Sequence, residues 1–153
     1  MTEKLILKKA IGTALNAEGF TRKGNSWFLR GADTVVVINL QKYEYDELYF
    51  INLGIGLRAL GSDEFPAENH CHIRARLERL FPQRRDLIIE ASTINHDNAL
   101  VEGFKDFLST EVSPFCSKCL TIEGLKTLLD SKKIPQTFVT AAARAFLGLT
   151  DQA

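Results

Sequence analysis

The first hydrophobic pattern of the chain has helical spacing. Apolar side chains recur at intervals of three and four residues, at Leu7, Ala10, Ile11, Ala14 and Leu15. This spacing places them on one face of a helix. Thr2 is a suitable cap for the first turn, and Gly19 follows the last turn, where glycine readily adopts a left-handed conformation. The pattern predicts an amphipathic helix near the N-terminus.

After Gly19 the hydrophobic period changes to two, which is typical of strands. The dipeptide Gly24-Asn25 favours a hairpin turn between two short runs. Consecutive β-branched residues further along favour a pleated sheet over a helix. The strand-like runs are 20–23, 26–30, 34–41 and 49–57. They predict an antiparallel meander, in which the polar segment 42–47 connects the last two strands.

A loop is predicted for 61–69, after which the side chains alternate strictly. The apolar positions are Cys71, Ile73, Ala75 and Leu77, and the polar positions are His72, Arg74, Arg76 and Glu78. This alternation predicts a strand with one buried and one polar face, which Pro82 ends. The next segment, 87–90, fits either a further short strand or part of a helix.

The last third of the chain is predicted to be helical. One apolar stripe begins after Asn95 or Asp97 as the cap and ends at Pro114; it consists of Leu100, Phe104, Phe107 and Leu108. A second helix covers about 122–131, with Lys132 and Lys133 near the negative end of its dipole. A third helix follows Pro135 and places these residues on one face: Phe138, Ala142, Ala145, Phe146 and Leu149.

Helix, strands and helices in separate blocks predict an α+β fold. We expect an N-terminal helix, a mainly antiparallel sheet of about four or five strands, and C-terminal helices. The chain has 153 residues, of which 45% are hydrophobic and 25% charged, and these values are typical of one globular domain. The prediction is therefore a single domain over 1–153.

Charge and cysteine content narrow the class of protein. Nineteen basic and nineteen acidic side chains cancel, which argues against a dedicated binder of nucleic acid or of anionic membranes. No run approaches the ~18 apolar residues of a membrane span. The N-terminus leads directly into the amphipathic pattern, so no signal peptide is expected. Three cysteines, an odd number, do not indicate a disulfide framework. We therefore expect a cytoplasmic protein.

Four sequence phrases follow one another between Gly19 and Leu80. They are GFTRKGN followed by Trp27, then VINLQK, YFINLG and HCHIRAR. In this order they resemble a bacterial family known as domain of unknown function 4304. The resemblance implies a small bacterial or phage-associated α+β protein with no established reaction, and it supplies no catalytic residue. Small families of this kind are often suspected of containing immunity or accessory proteins.

The first candidate site is the polar face of the predicted sheet. Two amides point the same way on one strand, a third occupies the corresponding position on the next, and an imidazole and two guanidinium groups lie on the strand beyond. These residues are Asn39, Gln41, Asn52, His72, Arg74 and Arg76. Amides and guanidinium groups at fixed spacing suit the recognition of a carboxylate, a phosphate or a peptide. The alternative is a solvated face with cross-strand polar pairs.

The second candidate is the pair Cys116 and Cys119. Two cysteines at this spacing can hold zinc, but a structural site needs four ligands. The other candidate ligands are His70, Cys71, His72 and His96. A redox pair is a second hypothesis, because the helix predicted after Cys119 would lower the pKa of its thiol. Two structural thiols are the third, which an isolated CxxC motif favours. We expect no cofactor, with zinc as the minority alternative.

A cluster of arginines is the third candidate. Its members are Arg74, Arg76, Arg79, Arg84 and Arg85. Such a cluster suits RNA or DNA. The balanced net charge and the lack of a nucleic-acid motif favour ordinary surface charge instead.

These observations favour a non-enzymatic protein-binding module, immunity-like or accessory, because no nucleophile or phosphate-loop motif is present. Its partner would be another protein, docked on the polar face. The alternative is a small-ligand or anion-binding protein, or an enzyme, in which His72 is the titratable group. A concave pocket closed by 61–69 would favour the ligand, and a flat exposed face the protein partner. The sequence does not fix the oligomeric state.

Overall fold

The computed structural model of the chain describes residues 3–43, 48–61, 63–93 and 97–149. The predicted caps Thr2 and Asn95, the candidate ligand His96 and most of the connection 42–47 lie outside the described residues. The described residues form one five-stranded sheet in the order β1-β2-β3-β4-β5, with every neighbouring pair antiparallel. Its strands are β1 (Thr21–Lys23), β2 (Ser26–Arg30), β3 (Thr34–Lys42), β4 (Tyr49–Leu57) and β5 (Ile73–Arg76).

The helices lie before and after these strands in the chain. They are α1 (Glu3–Asn16), α2 (Leu77–Leu80), α3 (Arg85–Ala91), α4 (Asn98–Phe107), α5 (Ser113–Lys118), α6 (Ile122–Asp130) and α7 (Ala141–Leu147). The predicted α+β class, the N-terminal helix, the antiparallel meander and the C-terminal helices are therefore confirmed. None of the described helices is both long enough and apolar enough to cross a bilayer.

The main core lies between the helices and one face of the sheet, which we call the inner face. Alternate residues of β2, β3 and β4 point into this core; examples are Trp27, Ile38 and Leu53, each at most 1% exposed. The apolar stripe of α1 packs against the same core, and α1 also contacts α4. The opposite surface, which we call the outer face, carries the intervening residues of each strand.

The strand predicted from Cys71 to Glu78 is shorter than its alternation indicates. β5 stops at Arg76, and Leu77 begins α2 because Leu77 and Leu80 are both buried at helical spacing. Cys71 precedes the strand and does not share the face of Ile73. It packs on the outer face with Phe28, Val35 and Val37. A 3₁₀ turn at Glu68–His70 directly precedes Cys71 on the outer face. The ambiguous segment 87–90 is helical, within α3.

Pro114 does not end the helix that precedes it. The side chain of Asp97 caps α4 by accepting a hydrogen bond from the N–H of Leu100 at 2.7 Å. After α4 the backbone widens into a π-helical segment, Leu108–Val112, and continues directly as α5. Pro114 occupies the first turn of α5. Its missing N–H costs little there, and the wider π turn accommodates its ring.

The predicted apolar face of the last helix is wrong for three of its five residues, since only Phe138 and Leu149, which lie outside α7, pack against the core. Thr140 caps α7 by accepting a hydrogen bond from the N–H of Ala143 at 3.4 Å, which fixes where the helix begins. From that start, Ala143 and Leu147 point into the core. Phe146 is 45% exposed, and Ala142 and Ala145 are exposed as well.

Candidate functional site

Polar residues cross the outer face in a continuous row. The pairing of β2, β3, β4 and β5 places Ser26 opposite Asn39, Asn39 opposite Asn52, and Asn52 opposite Arg76. Directly opposite residues on antiparallel strands point to the same side of a sheet. The register therefore brings side chains from four strands into one line.

Hydrogen bonds join the amides of this row. Asn39 donates through Nδ2 to the Oγ of Ser26 at 2.9 Å. Asn52 donates through Nδ2 to the Oε1 of Gln41 at 2.9 Å, and its Nδ2 lies 3.5 Å from the Oδ1 of Asn39. We call Ser26, Asn39, Gln41 and Asn52 the amide row. Asn52 is only 7% exposed, whereas Gln41 is exposed, so the row extends from a buried centre to the surface.

Arg76 closes the row at its β5 end. Its guanidinium lies over the ring of Phe50, 3.3 Å from the ring centroid, and Tyr43 packs edge-on against the same ring at 5.2 Å. The Nη1 atom of Arg76 is buried and has no hydrogen-bond acceptor among the described residues. Buried donors are nearly always paired in folded proteins. Among the described residues, the stacked guanidinium therefore keeps one donor without an acceptor.

Arg74 lies beside the row and already has a partner. Its Nε and Nη2 atoms contact the two carboxylate oxygens of Glu68 at 3.1 and 3.3 Å. Glu68 is 10% exposed, while the side chain of Arg74 is 47% exposed. This fork-like pair holds the guanidinium beside the part of the outer face that carries the amide row, which we call the open part.

The segment 63–71 covers the remainder of the outer face, and we call it the covering segment. Phe65 packs edge-on against Phe28 with the ring centroids 5.2 Å apart, and Lys23 and Arg30 lie over the ring of Phe65. Glu64 anchors the segment through Arg58 at 2.8 Å and Arg30 at 2.7 Å. Hydrogen bonding and charge from Arg58, and then from Arg30, lower the pKa of Glu64.

Two glycines in β4 let the covering segment approach the sheet. A Cβ atom at Gly54 would lie 2.9 Å from the Sγ of Cys71, and one at Gly56 would lie 3.3 Å from the Cγ of Pro66. These glycines alternate with inward-facing apolar residues, so both point to the outer face. The close approach explains glycine at positions where a strand otherwise favours a β-branched residue.

His72 lies apart from the amide row, just before β5. Its Nδ1 accepts a hydrogen bond from the N–H of Leu57 at 3.0 Å, and burial lowers its pKa. It lines a cavity of about 320 Å³ together with His70, Arg58 and Asp63. The structure thus places Asn39, Gln41, Asn52, Arg74 and Arg76 on one face. His72, the sixth predicted site residue, lies beside a cavity next to the covering segment.

A family model described as Domain of unknown function (DUF4304) matches residues 11–118, more than half of the chain. The chain belongs to the DUF4304 family. The predicted resemblance is therefore confirmed, and the match includes the whole sheet and the covering segment. Neither a curated protein nor a solved structure matches this DUF4304 protein.

The cysteines of the DUF4304 protein lie inside it. Cys116 and Cys119 are both 0% exposed, and the carbonyl oxygen of Cys119 accepts a hydrogen bond from the Oγ1 of Thr34 at 2.6 Å. Burial raises the pKa of the Cys119 thiol to about 12. Burial and the neighbouring Cys119 thiol raise the pKa of Cys116. The predicted lowering of the Cys119 pKa is wrong, because burial outweighs the nearby helix terminus.

No group of three or more His, Cys, Asp or Glu side chains that could hold a metal ion occurs among the described residues. Cys116 and Cys119 are members of the main hydrophobic core. Their location gives both thiols a packing role in the DUF4304 fold.

The arginine cluster is divided among separate contacts. Arg84 pairs with Glu111 at 2.7 Å, and Arg79 lies 5.4 Å from the centroid of the Phe138 ring. Arg74 and Arg76 instead belong to the outer face described above. Most of these guanidinium groups therefore serve local partners on different elements.

Two further residues contribute to the outer face and were not among the predicted site residues. Ser26 accepts the hydrogen bond of Asn39, and Phe50 supports the Arg76 guanidinium. Phe50 lies between Tyr49 and Ile51, which both point into the main core. That alternation was available in the sequence and would have placed Phe50 beside the amides.

Proposed function

We propose that this DUF4304 protein is a non-enzymatic binding module of the cytoplasm, immunity-like or accessory, that docks another protein on the open part of its outer face. The observation that carries the proposal is Arg76, whose buried Nη1 at the end of the amide row has no acceptor among the described residues. A docked partner that places a carboxylate or a backbone carbonyl there would satisfy this donor.

The dimensions of the row support a protein partner. Neighbouring strands in a sheet are about 4.8 Å apart, so a row across four strands spans about 14 Å. This length suits an interface more than a small molecule. Arginine and aromatic side chains are enriched at protein interfaces, and Arg76 stacked on Phe50 supplies both.

The cavity beside His72 favours a second candidate function. With His70, Arg58 and a volume of about 320 Å³, it suits a small anion, and His72 would be the titratable group of a ligand-binding protein or an enzyme. This alternative would use the cavity and leave the amide row unoccupied.

Site-specific photo-crosslinking in cells that encode the protein tests the docking proposal. A benzophenone amino acid is placed at Thr21, which is exposed on the edge strand β1, two residues before Lys23, the residue opposite Ser26 of the amide row. The matched control places it at Asp106, which is exposed on α4. We expect a discrete protein adduct from position 21 only.

The substitution Arg74→Ala should abolish this adduct while leaving the fold intact. The side chain of Glu68 is only 10% exposed, so loss of its partner should lower the free energy of unfolding by about 1 to 3 kcal/mol, which leaves the domain folded. Lack of a discrete adduct at position 21, or equal adducts at both positions, would contradict the proposal. An adduct that persists in the Arg74→Ala variant would also contradict it.

A further inference from the structure

A second cavity lies among the helices, away from the outer face. It has a volume of about 480 Å³, larger than the cavity beside His72. Small-molecule sites commonly have volumes of ~300 to 1,000 Å³. The cavity is lined by the segment 79–83, by α5, and by the end of α6 with the residues that follow it.

The floor of this cavity is apolar. It contains Leu80 and Phe81 from α2 and its C-terminal end, Phe115 from α5, and Leu128 from α6. All four belong to the main hydrophobic core. The ring of Phe81 packs edge-on against that of Phe115 with the centroids 5.2 Å apart. A ligand seated here would place an apolar body against packed side chains, which is the usual composition of small-molecule sites.

The rim of the cavity is cationic. Arg79, Lys118, Lys132 and Lys133 all line it. The three lysines form no salt bridge with any carboxylate among the described residues. Unpaired cations around an apolar floor attract an anion with an apolar body.

The acidic residue at the rim is already neutralised. Glu111 comes from the π-helical segment and accepts from the Nε of Arg84 at 2.8 Å, while the Nη2 of Arg84 lies 2.7 Å from the same oxygen. Because Glu111 is paired with Arg84, the lysines of the rim have no carboxylate partner among the described residues.

Lys132 has an unusual backbone conformation. Its φ of 61° is the only positive value at a non-glycine position among the described residues. It lies two residues after the last residue of α6, where the N–H groups of Lys132 and Lys133 donate to the carbonyls of Leu129 and Leu128 at 3.1 and 2.9 Å. Glycine is the usual residue at such a helix end because it adopts this conformation without strain. A lysine there keeps an ammonium group at the rim in a strained conformation, and strain of this kind is concentrated at functional sites.

We propose that this cavity binds a small amphipathic carboxylate, with its apolar body on the Phe81–Phe115 floor and its carboxylate against the lysines of the rim. The site is separate from the outer face, and it partly lies beyond the residues that the DUF4304 match covers, since Leu128, Lys132 and Lys133 follow residue 118.

A titration with sodium octanoate, followed by the backbone amide signals in NMR spectra, tests the proposal. We expect saturable shifts at Lys118, Phe115 and Lys132. The variant Lys132→Gly should weaken octanoate binding about tenfold, since it removes one ammonium partner. Glycine tolerates the positive φ, so this variant should fold at least as well as the natural chain.

Matched controls separate charge from general hydrophobic binding. Lys126→Ala, an exposed position on α6 that does not line the cavity, should bind octanoate unchanged. The neutral 1-octanol should bind about tenfold more weakly than octanoate, and octylammonium more weakly still. Equal affinity for octanoate and 1-octanol would overturn the proposal. An equal loss of octanoate affinity in Lys132→Gly and Lys126→Ala would also overturn the proposal. The absence of saturable shifts up to about 10 mM octanoate would overturn it as well.

Discussion

The two faces of this sheet are covered in different ways. The inner face is mainly apolar and lies under the helices, with Ile38, Leu53 and Ile55 at most 1% exposed. The outer face has one part under the covering segment and one part occupied by the amide row and Arg76. Adjacent residues of a single strand, such as Asn52 and Leu53, therefore lie in opposite surroundings.

This difference separates stability from surface chemistry. Burial of apolar area on the inner face supplies most of the free energy of folding. On the outer face, a smaller apolar cluster of Phe28, Val35, Val37 and Cys71 lies under the covering segment. The amide row contributes through a few directed contacts, each worth about 1 kcal/mol. Residues of the amide row can therefore vary in chemistry at a smaller cost in stability than residues of the inner face.

The largest expected difference between the inner and outer faces is in stability, and substitution of the neighbouring residues Leu53 and Asn52 tests it. Leu53→Ala removes a side chain that is 1% exposed and should lower the free energy of unfolding by about 3 kcal/mol. Asn52→Ala loses the hydrogen bond to Gln41 and should cost about 1 kcal/mol. Urea unfolding followed by circular dichroism measures both values. Equal costs would mean that the outer face carries as much of the stability as the inner face.

Gly54 tests how closely the covering segment must approach the sheet. The variant Gly54→Val would place a Cβ 2.9 Å from the Sγ of Cys71, so the segment must shift, at a cost of about 1 to 3 kcal/mol. Burial raises the pKa of the Cys71 thiol to about 12 in the natural chain. The shift should expose this thiol and accelerate its reaction with Ellman's reagent.

The matched control for that experiment is Gly103→Ala. Gly103 lies in α4, and a Cβ added there meets no atom within 4 Å. This variant should gain about 0.5 to 1 kcal/mol from the higher helix propensity of alanine, with thiol reactivity unchanged. Unchanged stability and thiol reactivity in Gly54→Val would show that the covering segment is not held against the sheet.

His72 should give the smallest effect, a pH dependence of stability. Burial lowers its pKa in the folded state, so the folded protein favours the neutral imidazole that accepts from Leu57. The contribution of the neutral imidazole to the free energy of unfolding is complete above the unfolded-state pKa of about 6.5. It is lost as the pH falls through the folded-state pKa. The urea concentration at the unfolding midpoint should therefore decrease as the pH is lowered from about 7.5 to about 5.0.

A non-titrating acceptor identifies the responsible imidazole. In His72→Asn the amide oxygen can accept the Leu57 hydrogen bond, so the decrease in midpoint at acidic pH should become smaller. His70→Asn, at an exposed position of the same cavity, should retain the decrease. An identical pH profile in His72→Asn and the natural chain would assign the effect to other groups.

The sequence by itself determined the strands and the sides to which their residues point. A period of two over 26–30 and 49–57 predicted β2 and β4 with the bounds that the structure has. The same period placed Asn39, Gln41 and Asn52 on one surface, because side chains alternate along any strand. These properties are local, so they follow from the order of residues alone.

Only the tertiary structure decided which elements meet. In the sequence, the alternation from Cys71 onward continues through Leu77. In the structure, the strand ends at Arg76 because Leu77 and Leu80 are both buried in the core at helical spacing. The covering segment and the cavity beside α6 join residues far apart in the chain, such as Phe28 with Phe65 and Arg79 with Lys132. Their approach depends on the packing of the whole core, and no local pattern encodes it.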